Sequence, residues 1–286
     1  MIAQVKTLLK LALFIAVFSW SGHFCRKKTD GFTIGKISST LAPNPAWNVS
    51  EPNLDEIKPV LNQKFHYLAR GAQSYVFASE DGKYVLKFFS HHHMRAPLWL
   101  KMLPFEKMQL RAQKLNAKLG KDFSSYKIAY EELKDETGLV YLHLNKTSTL
   151  NSTIHIVDKL GIEHTLPADG MEFLIQKKAD LLYPALDYLA QSGKADEAKA
   201  LITELVQLLE RRCRKGIFDK DPDLNTNFGV LEGHPIQIDI GRFKRNSVAL
   251  KTEVVRITDN LHQYLMLRYP ELDEHLRGEL NQLNET

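Results

Sequence analysis

The sequence has only two cysteines, Cys25 and Cys213, in 286 residues. So few cysteines, so far apart, exclude a disulfide framework and a zinc knuckle. Long runs of one charge are also lacking, since the net charge is only +4 and the basic residues are spread along the chain. Nucleic-acid-binding surfaces need clustered Lys and Arg, so we expect no nucleic-acid partner. The content of 44% hydrophobic and 25% charged residues instead predicts a folded protein.

The first 28 residues form a hydrophobic segment with basic ends. Lys6 and Lys10 precede the apolar run Leu11–Trp20, and a basic cluster follows at Arg26–Lys28. About 15 apolar or neutral residues are fewer than the roughly 20 of a usual membrane helix, but a snorkelling lysine lengthens the segment. We predict an uncleaved single-pass membrane anchor, with the following domain cytoplasmic because of the basic cluster. A cleaved signal for secretion is the alternative.

The segment 29–59 has the composition of a linker. It contains four prolines and many Asn and Ser residues, with little periodicity. Such a composition disfavours regular secondary structure. We therefore expect the folded region to begin near Val60.

The folded region opens with a pattern of β-strands. Apolar residues alternate from Phe65 to Phe89, with Gly71 in one turn and Asp81-Gly82 in the next. This predicts three consecutive strands joined by two tight loops. The small residues of the first loop would let backbone N–H groups approach a phosphate closely.

Lys87 lies among apolar neighbours on the third of these strands. An unpaired ammonium group there would be costly, so we expect an anionic partner, unless the lysine snorkels from an edge strand. A helix is predicted over Leu98–Gly120, with Pro104 near its start and Gly120 as its C-cap. Glu106 on this helix is either the ion-pair partner of Lys87 or a solvated charge.

The rest of the chain alternates between strand-like and helix-like patterns. Short apolar runs separated by turn residues predict strands at 126–131, 139–144, 153–158 and 171–177. Leucines at helical spacing predict helices at 181–191, 195–214, 257–267 and 272–283. This order predicts a sheet-rich first part and a helical second part.

Acidic and amide side chains are concentrated between two short apolar runs near the C-terminal third. The stretch GIFDKDPDLNTNFGV, Gly216–Val230, is followed by QIDIG, Gln237–Gly241. Carboxylate and amide oxygens at strand ends suit a hard divalent cation, and such a cation usually holds phosphate. A polar turn without a ligand is the alternative.

These motifs together resemble the protein-kinase-like superfamily over about Val60–Phe243. GIFDKD resembles the strand and loop that carry the catalytic aspartate, NFGV resembles the metal-binding asparagine motif, and Asp239-Ile240-Gly241 resembles D-F-G. RGAQSYV resembles the glycine-rich loop. The resemblance implies an α+β bilobal fold, with an antiparallel β-sheet N-lobe at 60–178 and a short helical C-lobe at 179–286.

The resemblance also implies roles for single residues, with ATP and Mg²⁺ as cofactors. Lys87 would contact the α- and β-phosphates, Asp221 would accept the hydroxyl proton, and Glu106 would pair with Lys87. The residues expected to form the phosphate loop are Gly71, Ser74 and Val76. Those expected next to adenine are Gln176 and Lys178, and those expected to hold Mg²⁺ are Asn227 and Asp239.

The sequence departs from the family pattern in ways that affect function. The loop from Asp221 to Asn227 spans six positions where the family has five, so Asp219 and Asp223 stay open as the working carboxylate. About 45 residues follow Asp239, and none forms the A-P-E motif of the peptide-substrate platform. We predict an atypical kinase with an unidentified hydroxyl acceptor. A nucleotide-binding pseudokinase that acts on a protein partner, and an exported structural domain, are the alternatives.

Overall fold

The computed structural model describes residues 2–39, 41–50, 54–91, 105–246 and 249–283. The start of the helix predicted over 98–120, including Pro104, lies outside these ranges. The chain folds into a mixed α+β structure with one large sheet and a separate helical region, which is consistent with the predicted bilobal arrangement.

The elements follow one another with strands concentrated before residue 181 and helices after it. The helices are α1 Ile2–Lys28, α2 Ile34–Ile37, α3 Leu54–Leu61, α4 Glu106–Glu132, α5 Lys134–Thr137, α6 Leu182–Gln191, α7 Ala195–Arg214, α8 Leu250–Arg268 and α9 Pro270–Gln282. The strands are β1 Lys64–Arg70, β2 Ser74–Ser79, β3 Tyr84–Phe89, β4 Leu139–His143, β5 Thr153–Val157, β6 Glu163–Pro167, β7 Phe173–Lys177, β8 Asp180–Leu181, β9 Ile217–Asp219, β10 Phe228–Leu231, β11 His234–Gln237 and β12 Phe243–Arg245.

Seven strands form one sheet in the order β4-β7-β3-β2-β1-β5-β6. The three strands predicted from the alternating pattern are β1, β2 and β3, and they pair as consecutive antiparallel hairpins. The sheet is not wholly antiparallel as expected, because β1 pairs with β5 in parallel. That pairing adds the β5–β6 hairpin to the edge of the sheet.

The segment predicted to be a linker packs against one face of this sheet. Phe32, Ile37 and Ile57 are buried in the same cluster as Tyr75 and Phe77. The ring of Phe32 meets those of Tyr75 and Phe77 edge-on, with centroid distances of 5.2 and 5.5 Å. A few well-spaced apolar residues therefore make this proline-containing segment part of the folded domain, although its overall composition is that of a linker.

Helix α4 covers the opposite face of the sheet and differs from its prediction. It continues through Gly120 to Glu132, so the predicted C-cap at Gly120 and the predicted strand at 126–131 are wrong. Phe123, Tyr126 and Tyr130 are buried with Phe89, at spacings of three and four residues that place them on one helix face. The helix therefore continues through these aromatic residues, although aromatic residues favour strands.

The helical region has its own core, built by α6, α7, α8 and α9. Helix α7 has the predicted bounds, and α6 and α9 lie within two residues of theirs. Helix α8 begins at Leu250, seven residues before the predicted start at Ile257. Its extra first turns bury Leu250 and Val254 against α7.

Helix α1 contributes nothing to these cores in its described part. Leu13, Phe14, Phe18 and Trp20 are all exposed. Within the ranges that the structure describes, no helix is long and apolar enough to cross a bilayer, so the predicted membrane anchor is unsupported. The three basic residues in the last turn of α1 limit its uncharged stretch.

We predict that Phe32→Ala lowers the free energy of unfolding by about 3 kcal/mol, because it leaves a cavity in the cluster around Tyr75 and Phe77. Phe18→Ala is the matched control, since Phe18 is 71% exposed and Phe32 only 6%. We expect the control to change stability by less than about 0.5 kcal/mol. Urea denaturation of the full chain measures both. Equal stability losses for the two variants would mean that the segment around Phe32 is a linker that does not pack on the sheet.

Candidate functional site

The hairpin of β10 and β11 brings the two expected metal ligands together. Its strands pair antiparallel from Phe228↔Gln237 to Leu231↔His234. Just beyond the paired ends, the carbonyl oxygen of Asn227 accepts hydrogen bonds from the N–H groups of Ile238 and Asp239, at 2.8 and 3.2 Å. The backbones of Asn227 and Asp239 are therefore neighbours, although twelve positions separate them in sequence.

The side chains of these two residues differ in exposure and in partners. Asn227 is buried, and its Nδ2 donates to the carbonyl oxygen of Asp221 at 2.6 Å. Its Oδ1 accepts from the hydroxyl of Thr226 at 3.1 Å and has a second lone pair. Asp239 is exposed and accepts from the N–H of Gly241 at 3.1 Å.

One amide oxygen and one exposed carboxylate are too few ligands for a metal site built from protein groups alone. They are enough for Mg²⁺ that is shared with a bound phosphate. Mg²⁺ keeps several waters and is commonly bound through one or two carboxylates together with substrate phosphates. In the part of the chain that is described, no group of three or more His, Cys, Asp or Glu side chains could hold a metal ion. The residues present would therefore hold Mg²⁺ only together with a phosphate-bearing ligand.

Lys87 reaches this hairpin from the sheet. It lies opposite Val76 in the β2–β3 pair, and its Nζ donates to the carbonyl oxygen of Ile238 at 2.6 Å. Burial lowers the pKa of Lys87 to about 8, and the nearby charge of Asp239 opposes this shift. Lys87 thus lies near Asp239, and its direct partner is a backbone carbonyl instead of the expected anionic group.

The expected ion pair between Lys87 and Glu106 is not present among the described residues. Glu106 is the first residue of α4 and is exposed, and the only carboxylate that acts on the pKa of Lys87 is Asp239. Glu106 therefore corresponds to the alternative interpretation, a solvated helix charge.

Ser125, which the sequence did not single out, connects α4 to the Asp239 segment instead. Its hydroxyl donates to the carbonyl oxygen of Ile240 at 2.5 Å and accepts from the N–H of Phe243 at 2.6 Å. The side chain of Ile240 is buried in the cluster that α4 forms with the sheet. These contacts fix the backbone on the C-terminal side of Asp239 against the helix.

Three aspartates near the expected catalytic position have different surroundings. Asp219 is 1% exposed and accepts from the N–H of Asp221 at 2.9 Å and from the side chain of Gln237. Asp223 accepts from the N–H of Asn225 at 3.0 Å and from the hydroxyl of Thr226 at 2.8 Å, so it stabilises a turn. The carboxylate of Asp221 is exposed and has no hydrogen bond to a described residue. Of the three, it alone is free to act on a ligand.

Beneath this loop lies a buried polar network that the sequence did not indicate. Arg212 on α7 is 1% exposed and donates to the side chain of Gln237, with Asp219 at 3.8 Å and Glu253 at 3.9 Å. Arg256 on α8 donates to the carbonyl oxygen of Asp219 at 2.8 Å. Burial raises the pKa of Asp219, and the charge of Arg212 opposes that shift.

The loop expected to bind phosphate is a tight hairpin end. Gly71 donates its N–H to the carbonyl oxygen of Ser74 at 2.9 Å, and Ser74 and Val76 lie on β2. Gln73, in the same loop, is buried, and its Oε1 accepts from the hydroxyl of Tyr126 at 3.3 Å. A Cβ atom on Gly241 would lie 2.7 Å from that oxygen, so the loop and the Asp239 segment are in close contact.

Two donors in the segment expected next to adenine have partners within the protein. Gln176 is buried, and its Nε2 donates to the carbonyl oxygen of Thr137 at 2.6 Å. Lys178 donates its N–H to the carbonyl oxygen of Lys83 at 2.8 Å. Lys178 is exposed at the end of β7. These two N–H donors are therefore bonded within the protein, and the adenine contact stays a prediction.

No protein-family model and no curated protein matches the sequence. Several solved structures are similar in part. Monomeric WbdD is 14% identical over 74% of this chain and 45% of its own, with a TM-score of 0.38. The bifunctional kinase-methyltransferase WbdD is 13% identical over 74% and 43%, with a TM-score of 0.35. The Rv3197-erythromycin complex from Mycobacterium tuberculosis is 12% identical over 97% and 75%, with a TM-score of 0.33.

The chain spans about half the length of the WbdD structures that it matches. All three TM-scores lie below 0.5, and all identities lie below 25%. Similarity at this level gives no argument about activity. The interpretation of the site therefore depends on the contacts within this chain.

We predict that Asp219→Ala lowers stability far more than Asp221→Ala does. Asp219→Ala removes the buried partner of Arg212 and Gln237, and we expect a loss of about 3 kcal/mol because an uncompensated charge stays buried. Asp221→Ala removes an exposed carboxylate, and we expect a change within about 0.5 kcal/mol. Denaturant unfolding of both variants measures the difference. A larger loss for Asp221→Ala would contradict the assignment of Asp219 as the structural residue.

Proposed function

We propose that this chain is an atypical kinase-like protein that transfers the γ-phosphate of ATP to a hydroxyl acceptor, with Mg²⁺ as cofactor. The main support is the β10–β11 hairpin, which holds Asn227 next to Asp239 and places the carbonyl oxygen of Ile238 on Lys87. An amide, a carboxylate and a lysine that lie close together are the groups that bind a nucleoside triphosphate with its metal ion. A polar turn without a ligand does not require this combination.

The transfer step follows from the positions of the free groups. The acceptor oxygen would form a bond to the γ-phosphorus while the bond from that phosphorus to the β,γ-bridging oxygen breaks, and ADP would leave with the electron pair. The hydroxyl proton would go to Asp221, whose carboxylate is exposed and unbonded within the described residues. Lys87 would exchange its bond to Ile238 for the α- and β-phosphates.

Asn227 and Asp239 would hold Mg²⁺, which supplies positive charge to the phosphate oxygens when it is bound. The protein itself keeps these two ligands in fixed positions. Asn227 does so through its bond to the carbonyl oxygen of Asp221, which also ties the metal side of the site to the acceptor side. Ser125 does so for the Asp239 segment through Ile240 and Phe243.

The second candidate is a nucleotide-binding pseudokinase that acts as a scaffold or regulator. It is favoured by the exposed position of Glu106, which leaves Lys87 without its expected carboxylate partner. It is also favoured by Gln73, which lies against Gly241 inside the expected phosphate site. Contact of α1 with a membrane stays a separate prediction, based on its exposed apolar side chains.

We predict a Mg²⁺-dependent rise in the melting temperature of the full chain on addition of ATP. A ligand at a hundredfold excess over its dissociation constant stabilises the folded state by about 2.7 kcal/mol. Lys87→Ala and Asp239→Asn should abolish the rise, and Glu106→Gln should keep it because Glu106 is exposed on the first turn of α4. If ATP does not raise the melting temperature of the wild type at any Mg²⁺ concentration, nucleotide binding is refuted.

We predict that Asp221→Asn separates the two candidates. For a kinase, this change should lower the rate of phosphate transfer by about 10²- to 10⁴-fold, because the proton acceptor is lost, and leave the ATP-dependent shift intact. Formation of ADP from ATP, measured with purified wild type and variant, is the readout. Asp223→Asn is the matched control, since Asp223 caps a turn. Equal ADP formation by wild type and Asp221→Asn would favour the pseudokinase.

A further inference from the structure

A large basic cavity lies beside the proposed transfer site. It has a volume of about 1090 Å³ and is bounded by one face of α4, by the backbone around Trp47, and by the segment that follows Gly241. Among the described residues that line it, eight are Lys or Arg and only two are Asp or Glu. A cavity of this volume is large enough for a small-molecule ligand.

Most of these cations have no carboxylate within ion-pair distance among the described residues, although the charges of Lys118 and Arg242 act on the pKa of Asp122, opposing the rise that burial causes. Lys127 contacts Glu131 at 3.7 Å, and Arg245 is bonded to Glu132. The other six have no ion pair with any residue that the structure describes: Lys114, Lys118, Lys121, Lys220, Arg242 and Lys244. Positive charges that line one cavity repel one another. Binding of an anion in the cavity would reduce this repulsion and is therefore favoured.

The positions of these residues follow from the local structure. Lys114, Lys118 and Lys121 are spaced by four and three residues on α4, so they share one helix face. Arg242, which also lines the cavity, comes directly after Gly241, whose N–H donates to Asp239 at 3.1 Å. Two independent elements therefore direct cations into the same space.

The cavity also adjoins the acceptor side of the proposed site. Lys220, which lines it, immediately precedes Asp221 in the chain. Asp122, another lining residue, is 3% exposed and has one carboxyl oxygen without a hydrogen-bond partner in the described part of the chain. The cavity thus combines several cations with a buried polar oxygen, a combination suited to a ligand that has both anionic and hydroxyl groups.

We propose that this cavity binds the acceptor of the reaction through an anionic group, so that the substrate is a small hydroxyl compound that already carries a phosphate. The proposal rests on the proposed function, because it uses Asp221 as the proton acceptor. The anionic group would contact the α4 lysines and Arg242, and a hydroxyl group would lie toward Asp221. ATP would remain the phosphate donor, with the same bond changes as above.

The test uses the full chain with inorganic phosphate, glucose 6-phosphate and glucose as probes, in isothermal titration calorimetry. We expect binding of the two anionic probes and not of glucose. In Lys118→Ala/Lys121→Ala the affinity for both anions should fall by about tenfold or more, as for a lost charge-assisted contact. Lys107→Ala/Arg111→Ala is the matched control on the same helix, since neither residue lines the cavity.

A parallel titration with ATP and Mg²⁺ separates this inference from the proposed function. The Lys118→Ala/Lys121→Ala variant should keep the ATP-dependent rise in melting temperature. If ATP binding is lost together with phosphate binding, the cavity is part of the nucleotide site and the inference is wrong. If ATP binds normally and neither anion binds the wild type more tightly than glucose does, the inference is wrong and the proposed function stands. If the wild type binds no ATP, the proposed function fails, and this acceptor site fails with it.

Discussion

The candidate site depends on one buried carboxylate, that of Asp219. It accepts hydrogen bonds from the backbone N–H of Asp221 and from Gln237, and it lies near the guanidinium of Arg212. Each partner comes from a different element, since Gln237 ends β11 and Arg212 lies in α7. A buried carboxylate is tolerated only when its oxygens are satisfied, so these elements hold one arrangement together. The exposed groups of the site are connected to this arrangement, Asp221 through its N–H and Asp239 through its carbonyl oxygen, which accepts from Gln237 at 3.2 Å.

Helix α4 supplies the second constraint, because it contacts both the sheet and the Asp239 segment. Its aromatic face packs on the sheet, and Ser125 bonds to the backbone on either side of Gly241. A movement of α4 would therefore move the segment that carries Asp239. The same helix presents Lys114, Lys118 and Lys121 to the basic cavity. One element thus links the core of the sheet, the proposed metal ligand and the proposed acceptor site.

The parts of the fold that the sequence predicted well depend on local patterns. Strands β1, β2 and β3 follow from alternation, and α7 follows from leucines at helical spacing. The proximity of Asn227 and Asp239 was expected only from the family resemblance, and in the structure a short hairpin with Gly233 at its turn brings its two ends together. For Lys87 the sequence predicted an anionic partner, and the structure gives a polar one, the carbonyl oxygen of Ile238.

The failures occurred where distant residues decide the outcome. The segment 126–131 has the composition of a strand, but Tyr126 and Tyr130 pack in the same cluster as Phe89 and belong to α4. The pairing of Glu106 with Lys87 was inferred from order in the chain, and order does not fix how a helix is rotated or translated. Arg212 is buried and Arg211 is exposed, although both occur in one basic run. Position 212 continues the buried leucine stripe of α7, but only the tertiary partners Gln237 and Glu253 allow an arginine to be buried there.

The sequence by itself determined the first three strands, the bounds of α7 and the chemical types present at the site. These depend on neighbours along the chain, where geometry is set by a few dihedral angles. Only the tertiary structure decided that Asp219 is structural and Asp221 is exposed, that the segment around Phe32 belongs to the core, and that α4 lysines and Arg242 face one cavity. Burial and charge pairing are properties of the packed chain, because they depend on which distant elements come together.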